Sequence, residues 1–401
     1  HGQGGVDLQL AAKLRCTSHV CHTTKRGFKT ISLEVEFETM RNLHLATLRN
    51  FSVLAVLAFL ATASWTSCCK PEPVPPPTAL EVDVPFWIGT SIIGDMPHPA
   101  NNPLTVEGVA LGRKLFYDKN LSGDNTMSCA SCHLQGVGFS DSAQFSTGIA
   151  GDMGGRQAMA VINLAWDDKL FWDGRAASLE DQAFLPVVNN VELNTTWPEV
   201  EEKLRADEGY ADLFEAAFAS RDIDSVKVVQ AIAQFERTLV SFNSRYDRFF
   251  FGGEQILSDA ELAGFDLFMG DAECVHCHAG PLMSDPTFRN NGLDMVHADL
   301  GLADVTGDPA DNGKFKVTTL RNIGATAPYM HDGRFATLAE VIEHYNSGVL
   351  SDSPNIDPEM EHFTLDGGLN LTDEQKANLV AFLHTLTDEA FLTNSAFSDP
   401  N

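Results

Sequence analysis

The chain has 401 residues, 44% of them hydrophobic, and 27 basic against 55 acidic side chains give it a formal net charge of −28. That length and apolar content suffice for two buried cores. The acidity, spread along the whole chain, repels phosphate and argues against any nucleic-acid partner.

Taken in chain order, residues 1–39 precede Met40, the expected initiator, and read as upstream, non-native sequence. An apolar run of thirteen, FSVLAVLAFLATA (51–63), follows MRNLHLATLRN (40–50) with its Arg41 and Arg49. Basic-then-apolar order in a run too short to span a bilayer reads as an export signal over 40–69. A buried core helix is the competing reading, and no amphipathic stripe supports it. Cleavage after Ala63 and lipidation at Cys68 or Cys69 both stay open, although Trp65 fits a lipoprotein signal poorly. Either exit is expected to take the mature chain out of the cytoplasm. Without residues 1–69, 20 basic side chains face 51 acidic ones. KPEPVPPP (70–77) then opens a Pro-rich tether assigned to 70–84.

Eight cysteines fall into four close pairs: Cys16/Cys21, Cys68/Cys69, Cys129/Cys132 and Cys274/Cys277. The last two pairs stand in CASCH (129–133) and CVHCH (274–278), each ending in histidine. This is the attachment pattern of c-type haem, with two thiols for the vinyl groups and an imidazole for the iron. A four-thiolate zinc site would not require a histidine after each pair. A redox dithiol or disulfide lacks a thioredoxin-like βαβ context. Cys16 and Cys21 have four residues between them and lie ahead of the signal, so they are set aside.

The flanks of the two haem motifs repeat. GRKLF (112–116) precedes CASCH and WDGRAASL (172–179) follows it; GFDLF (264–268) precedes CVHCH and HDGRFATL (331–338) follows it. The spacing predicts a mainly α protein of two tandem cytochrome c-like haem domains, 85–245 and 246–401. Capping boxes are expected at Thr196/Glu199, Ser258/Glu261, Thr337/Glu340 and Thr372/Gln375. An amphipathic helix is expected over 226–242 and a final helix carrying Leu379, Phe382, Leu383 and Leu386 on one stripe. Period-two strands are scarce, and 301–315 reads as a loop. In the helix opened by Thr337, Leu338, Val341, Ile342 and Tyr345 share one inward face, which makes Tyr345 either a ligand to the second iron or a core tyrosine. His344, Met330 and Met295 are weaker ligand candidates.

CASCH, FWDGRAA, PVVNNVELN, CVHCHAG and FKVTTLRNIGATAPYMHDGRFATL, in that order over about residues 95–390, resemble the bacterial dihaem cytochrome c peroxidase and MauG family. The resemblance implies that the haem on Cys129, Cys132 and His133 is peroxidatic. Glu192 then matches the distal glutamate, Gln182 and Pro186 its pocket neighbours, and Trp172 the tryptophan between the haems. The haem on Cys274, Cys277 and His278 would transfer electrons. A calcium between the domains is implied at the backbone oxygens of Thr326 and Pro328. Three positions depart from the peroxidase pattern. Ile149, sixteen residues after His133, replaces a histidine that blocks the peroxidatic iron in many members. Tyr345 replaces a methionine ligand, as in MauG, and Gln157 replaces an asparagine of the calcium site.

The activity implied is reduction of hydrogen peroxide to water, with electrons from a small, basic redox protein such as a cytochrome c or cupredoxin. Glu192 would be its acid–base group. The alternatives are peroxide-dependent oxidation of a protein substrate, in the manner of MauG, and a non-enzymatic dihaem electron carrier. The sequence leaves a lipid anchor and a homodimer open.

Overall fold

In each half of the chain two helices cross at a glycine, and that crossing organises the core. The computed structural model describes residues 74–400 apart from 87, 89–91 and 365–366; the export signal, its cleavage and lipidation positions, and Cys16 with Cys21 lie outside the described residues. The first half contains α1 (Val106–Tyr117), α2 (Leu179–Val188), α3 (Trp197–Ala206), α4 (Glu208–Phe218) and α5 (Ser225–Arg237). The second contains α6 (Arg245–Phe250), α7 (Asp259–Met269), β1 (Phe288–Arg289), α8 (Ala303–Thr306), β2 (Phe315–Lys316), α9 (Leu338–Glu343), α10 (Asp373–His384) and α11 (Glu389–Thr393).

The repeated Gly-x-x-Leu-Phe is the crossing point. A Cβ on Gly112 of α1 would collide with the Ala231 carbonyl of α5, and one on Gly264 of α7 with the Asn378 carbonyl of α10. Only a residue without a side chain lets the backbones approach so closely. The Phe four positions on packs against a Phe of the crossing helix, Phe116 on Phe235 at 5.4 Å and Phe268 on Phe382 at 5.1 Å. Leu111, Leu115, Val228, Ile232 and Phe139 complete the first core. Tyr246, Leu338, Ile342, Leu379 and Leu383 complete the second.

All four expected capping boxes are formed. Leu379, Phe382, Leu383 and Leu386 are buried as their stripe predicts. The helix expected over 226–242 instead ends at Arg237. There the Thr238 hydroxyl donates back to the Phe235 carbonyl at 2.7 Å. The chain then straightens because Asn163 takes both backbone groups of Ser241, at 3.0 and 2.8 Å. The expected loop 301–315 holds the short α8, and its last residue pairs β2 with β1 in antiparallel register, Arg289 opposite Phe315. The Pro-rich segment leads into a fixed stretch, since Thr78 and Leu80 pair with the backbone at Val106 and Leu104. At the other end α11 returns to the first core: Phe391 packs on Phe139 at 5.8 Å and Tyr117 donates to the Phe397 carbonyl at 2.8 Å. Among the described residues no helix is long and apolar enough to cross a membrane.

Candidate active site

Each Cys-x-x-Cys-His starts in a 3-10 turn, Cys129–Ser131 or Cys274–His276. The histidine N–H returns to the carbonyl of the first cysteine, at 3.0 Å in both, which winds the imidazole beneath the thiols. Each imidazole Nδ1 then donates to a backbone carbonyl, His133 to Phe139 at 2.8 Å and His278 to Met283 at 3.3 Å. The two acceptor residues share a left-handed backbone, φ 56° and 50°. With Nδ1 engaged, Nε2 is the nitrogen left for a metal. Burial lowers the pKa of both imidazoles, His278 to about 4, and keeps them in the neutral, ligating form. Neither cysteine pair is closed as a disulfide, which leaves all four sulfurs available for thioether attachment.

A cavity of about 270 Å³ has Cys274, Cys277 and His278 in its wall together with Tyr345 and Met330, and is otherwise lined largely by apolar side chains such as Leu282 and Leu383. Two thiols, an imidazole in the cavity wall with its Nδ1 engaged by a carbonyl, and an apolar chamber are what a c-type haem requires, so the second site fits that group. At the first site the donor set is the same, and His133 packs 6.4 Å from Phe116 in the first core.

Tyr345 reaches the cavity because α9 passes into a π-helical turn, His344–Gly348. Its hydroxyl accepts a hydrogen bond from Asn291 Nδ2 at 3.1 Å, and the same nitrogen lies 3.6 Å from Met330 Sδ. Burial pushes the Tyr345 phenol up to about 12, and the bond from Asn291 opposes that rise. His344 points elsewhere: its Nε2 donates to the Asn291 carbonyl at 3.1 Å. Met295 is 47% exposed and outside the cavity wall. Of the four side chains weighed as ligands, Tyr345 and Met330 line the cavity.

Glu192 sits on the loop that follows α2. Gln182 and Pro186 lie one turn apart on that helix, and Leu193 N–H donates to the Pro186 carbonyl at 3.3 Å. Asn189 pins the loop, donating to Glu192 Oε1 at 2.6 Å and accepting from Val191 N–H at 3.1 Å. Burial raises the Glu192 pKa, while the Asn189 bond and the charge of Arg175 pull it down. Ile149 is tied to the same loop, its N–H donating to the Glu192 carbonyl at 3.1 Å. Residue 149, an isoleucine, is thus joined through its backbone to the segment that carries Glu192.

The two Asp-Gly-Arg copies build one turn twice. Leu170 bridges Ala176 as Tyr329 bridges Phe335. Phe171 and Met330 take φ 68° and 73°. Asp173 accepts from Arg175 N–H and Asp332 from Arg334 N–H, both at 3.2 Å. Ser178 and Thr337 then cap α2 and α9. The residue before each Asp is Trp172 or His331, and these two rings meet edge to face at 6.5 Å, with His331 stacked on Phe315 at 3.7 Å. Trp172 Nε1 donates to the Gln157 carbonyl at 2.8 Å. Beside it Arg156 joins Asp173 at 2.5 Å and Asp299 at 2.7 Å. Gln157, Thr326, Pro328 and Trp172 all line the cavity. Among the described residues no three His, Cys, Asp or Glu side chains cluster to hold a metal, so a cation near Gln157 would rest on amide and backbone oxygens.

Known proteins resemble this chain. Residues 106–256 match the family model for di-haem cytochrome c peroxidase. The methylamine utilization protein MauG of Methylorubrum extorquens is 38% identical over 299 residues, 73% of this chain and 82% of that protein. The chain belongs to the dihaem cytochrome c peroxidase and MauG family. Cytochrome c551 peroxidase of Nitrosomonas europaea is 35% identical over 297 residues, 73% of this chain and 84% of its own. The crystal structure of a MauG-like protein associated with microbial copper homeostasis superposes with a TM-score of 0.68 at 37% identity, covering 82% of this chain and 98% of that one. A mainly helical dihaem fold, two haem groups and peroxide as substrate follow from membership of this family.

Sequence reasoning missed Asn291, His331 and Arg156. His331 had a signal, because it occupies the place of Trp172 in the repeated turn. Asn291, in FRNNGLD, had none.

Proposed function

We propose that the chain is an exported, periplasmic cytochrome c peroxidase that reduces hydrogen peroxide to water with electrons from a small basic redox protein, entering through the C-terminal haem domain (246–401) and used in the N-terminal one (85–245). The observation that carries this reading is the Glu192 carboxyl, partly buried and pinned by Asn189, on a loop tied to the backbone of Ile149. When bound, the first haem would supply the electrons that reduce the peroxide. Glu192 accepts the proton of the inner peroxide oxygen and returns it to the outer one, which leaves as water. Gln182 orients the peroxide. Trp172, held through its indole N–H, carries charge between the domains. His133 and His278 would hold the two irons, and Tyr345 would offer its oxygen to the C-terminal one. Gln157, Thr326 and Pro328 offer a calcium oxygens close to Trp172. Glu192→Gln should lower kcat with peroxide and reduced cytochrome c by roughly 10²–10⁴. A variant with kcat within twofold of wild type would remove Glu192 from the mechanism.

Tyr345 in the cavity wall favours a second reading, MauG-like oxidation of a protein substrate. An anionic oxygen ligand stabilises oxidised iron and suits storage of oxidising equivalents better than electron uptake. Negligible turnover with reduced cytochrome c, together with peroxide-dependent oxidation of a protein substrate, would favour this reading over the first.

A further inference from the structure

Asn291 stands where the two side chains that could reach the second iron meet. Its Nδ2 carries two hydrogens and faces two acceptors, Tyr345 Oη at 3.1 Å and Met330 Sδ at 3.6 Å. An amide nitrogen only donates, so the tyrosine oxygen is the acceptor in this contact and its remaining valence turns toward the cavity. The asparagine is itself anchored. Its carbonyl accepts from His344 Nε2 at 3.1 Å, and the preceding Asn290 fixes the turn by accepting from Gly292 N–H at 2.9 Å and donating to Pro354 at 2.8 Å. His344 and Tyr345 are neighbours in the π-helical turn, so two adjacent side chains engage the main-chain carbonyl and the side-chain amide of Asn291. Met330 is held on the other side by the left-handed backbone of the second Asp-Gly-Arg turn, φ 73°.

We propose that Asn291 is a positioning residue that sets the axial ligand of the C-terminal haem, holding the Tyr345 oxygen toward the iron and engaging the Met330 sulfur so that it does not compete. This rests on the reading of Tyr345 as that ligand. The contact has opposite consequences for the two acceptors. A donated N–H favours an oxygen bearing negative charge, and such bonds are strong. The same donation to a thioether occupies a weak acceptor and leaves the sulfur facing the amide. Asn291 thereby favours the oxygen ligand and, with it, a low potential at the second haem.

The test uses the full-length holoprotein, read by absorption, EPR and the reduction potential of the C-terminal haem, in wild type, Asn291→Leu, Asn291→Asp, Tyr345→Phe and Asn291→Leu combined with Met330→Leu. Losing a hydrogen bond to a charged oxygen should shift the ratio of tyrosinate-bound to thioether-bound iron by on the order of ten- to a hundredfold. The expected result is that both Asn291 variants lose the phenolate-to-iron charge-transfer band and gain a thioether-to-iron band with a higher potential. The double variant should lack the thioether band. Covalent haem content and thermal unfolding identify a variant that has merely lost its fold. A wild-type band that vanishes in Tyr345→Phe but persists unchanged in both folded Asn291 variants would overturn this inference alone. A wild-type spectrum with no phenolate signature, unchanged by Tyr345→Phe, would overturn the ligand reading and this inference with it.

Discussion

Glu236, on α5, is 5% exposed, and its Oε2 finds no hydrogen-bond partner among the described residues. Burial drives its pKa from 4.5 up to about 8, the charge of Arg237 opposing the rise and that of Glu180 adding to it. The folded chain thus keeps the proton that the unfolded chain releases. With the folded value raised, the contribution to stability is full below pH 4.5 and is lost as pH climbs to about 8. A gap of that width corresponds to a loss on the order of 4–5 kcal/mol. Glu236→Gln keeps the shape and the neutral form and removes the titration. Urea unfolding of the holoprotein, followed by far-UV circular dichroism from pH 5 to pH 9 or so, measures the difference. The variant should match wild type at the acid end and exceed it by several kcal/mol at the alkaline end. Parallel stability curves across that range would refute the argument, since they would mean that Glu236 titrates alike in the folded and unfolded chains.

Other consequences are equally direct. Gly264→Ala should cost about 1–3 kcal/mol, because the new methyl meets the Asn378 carbonyl where α7 crosses α10; a melting temperature equal to wild type would place the crossing elsewhere. Arg321, 1% exposed, forks onto Asp247 at 2.9 and 2.8 Å. Arg321→Leu strands the buried Asp247 carboxylate and should cost about 3–5 kcal/mol in chemical denaturation; a loss below 1 kcal/mol or so would mean that Asp247 finds water. With a formal charge of −28, turnover with a basic donor cytochrome should fall as ionic strength rises, and a rate indifferent to salt would argue against electrostatic docking.

What the sequence made legible was local. Each capping box spans four residues and needs no partner outside its own turn, and all four formed. The stripe of Leu338, Val341, Ile342 and Tyr345 follows from helical periodicity, and all four line one cavity. The repeated Gly-x-x-Leu-Phe marked two equivalent places, though its reason, a backbone collision with Ala231 or Asn378, lies more than a hundred residues downstream in each case. The errors share that origin. The helix of α5 stops at Arg237 because Asn163, 78 residues earlier, claims the Ser241 backbone. Asn291 reaches Tyr345 across 54 residues. Helical and capping signals decay within a turn or two, so contacts of that span leave no periodic trace in the chain.

The proposed peroxidase chemistry requires two haem groups of different accessibility, both bound covalently through CASCH and CVHCH. Cyanide titration of the oxidised holoprotein, followed by EPR with the haem-to-chain ratio fixed by mass spectrometry, tests it most directly. Two covalent haem groups per chain are predicted, of which one binds cyanide and the other does not. A chain that carries fewer than two, or two that are both inert to cyanide, would contradict it.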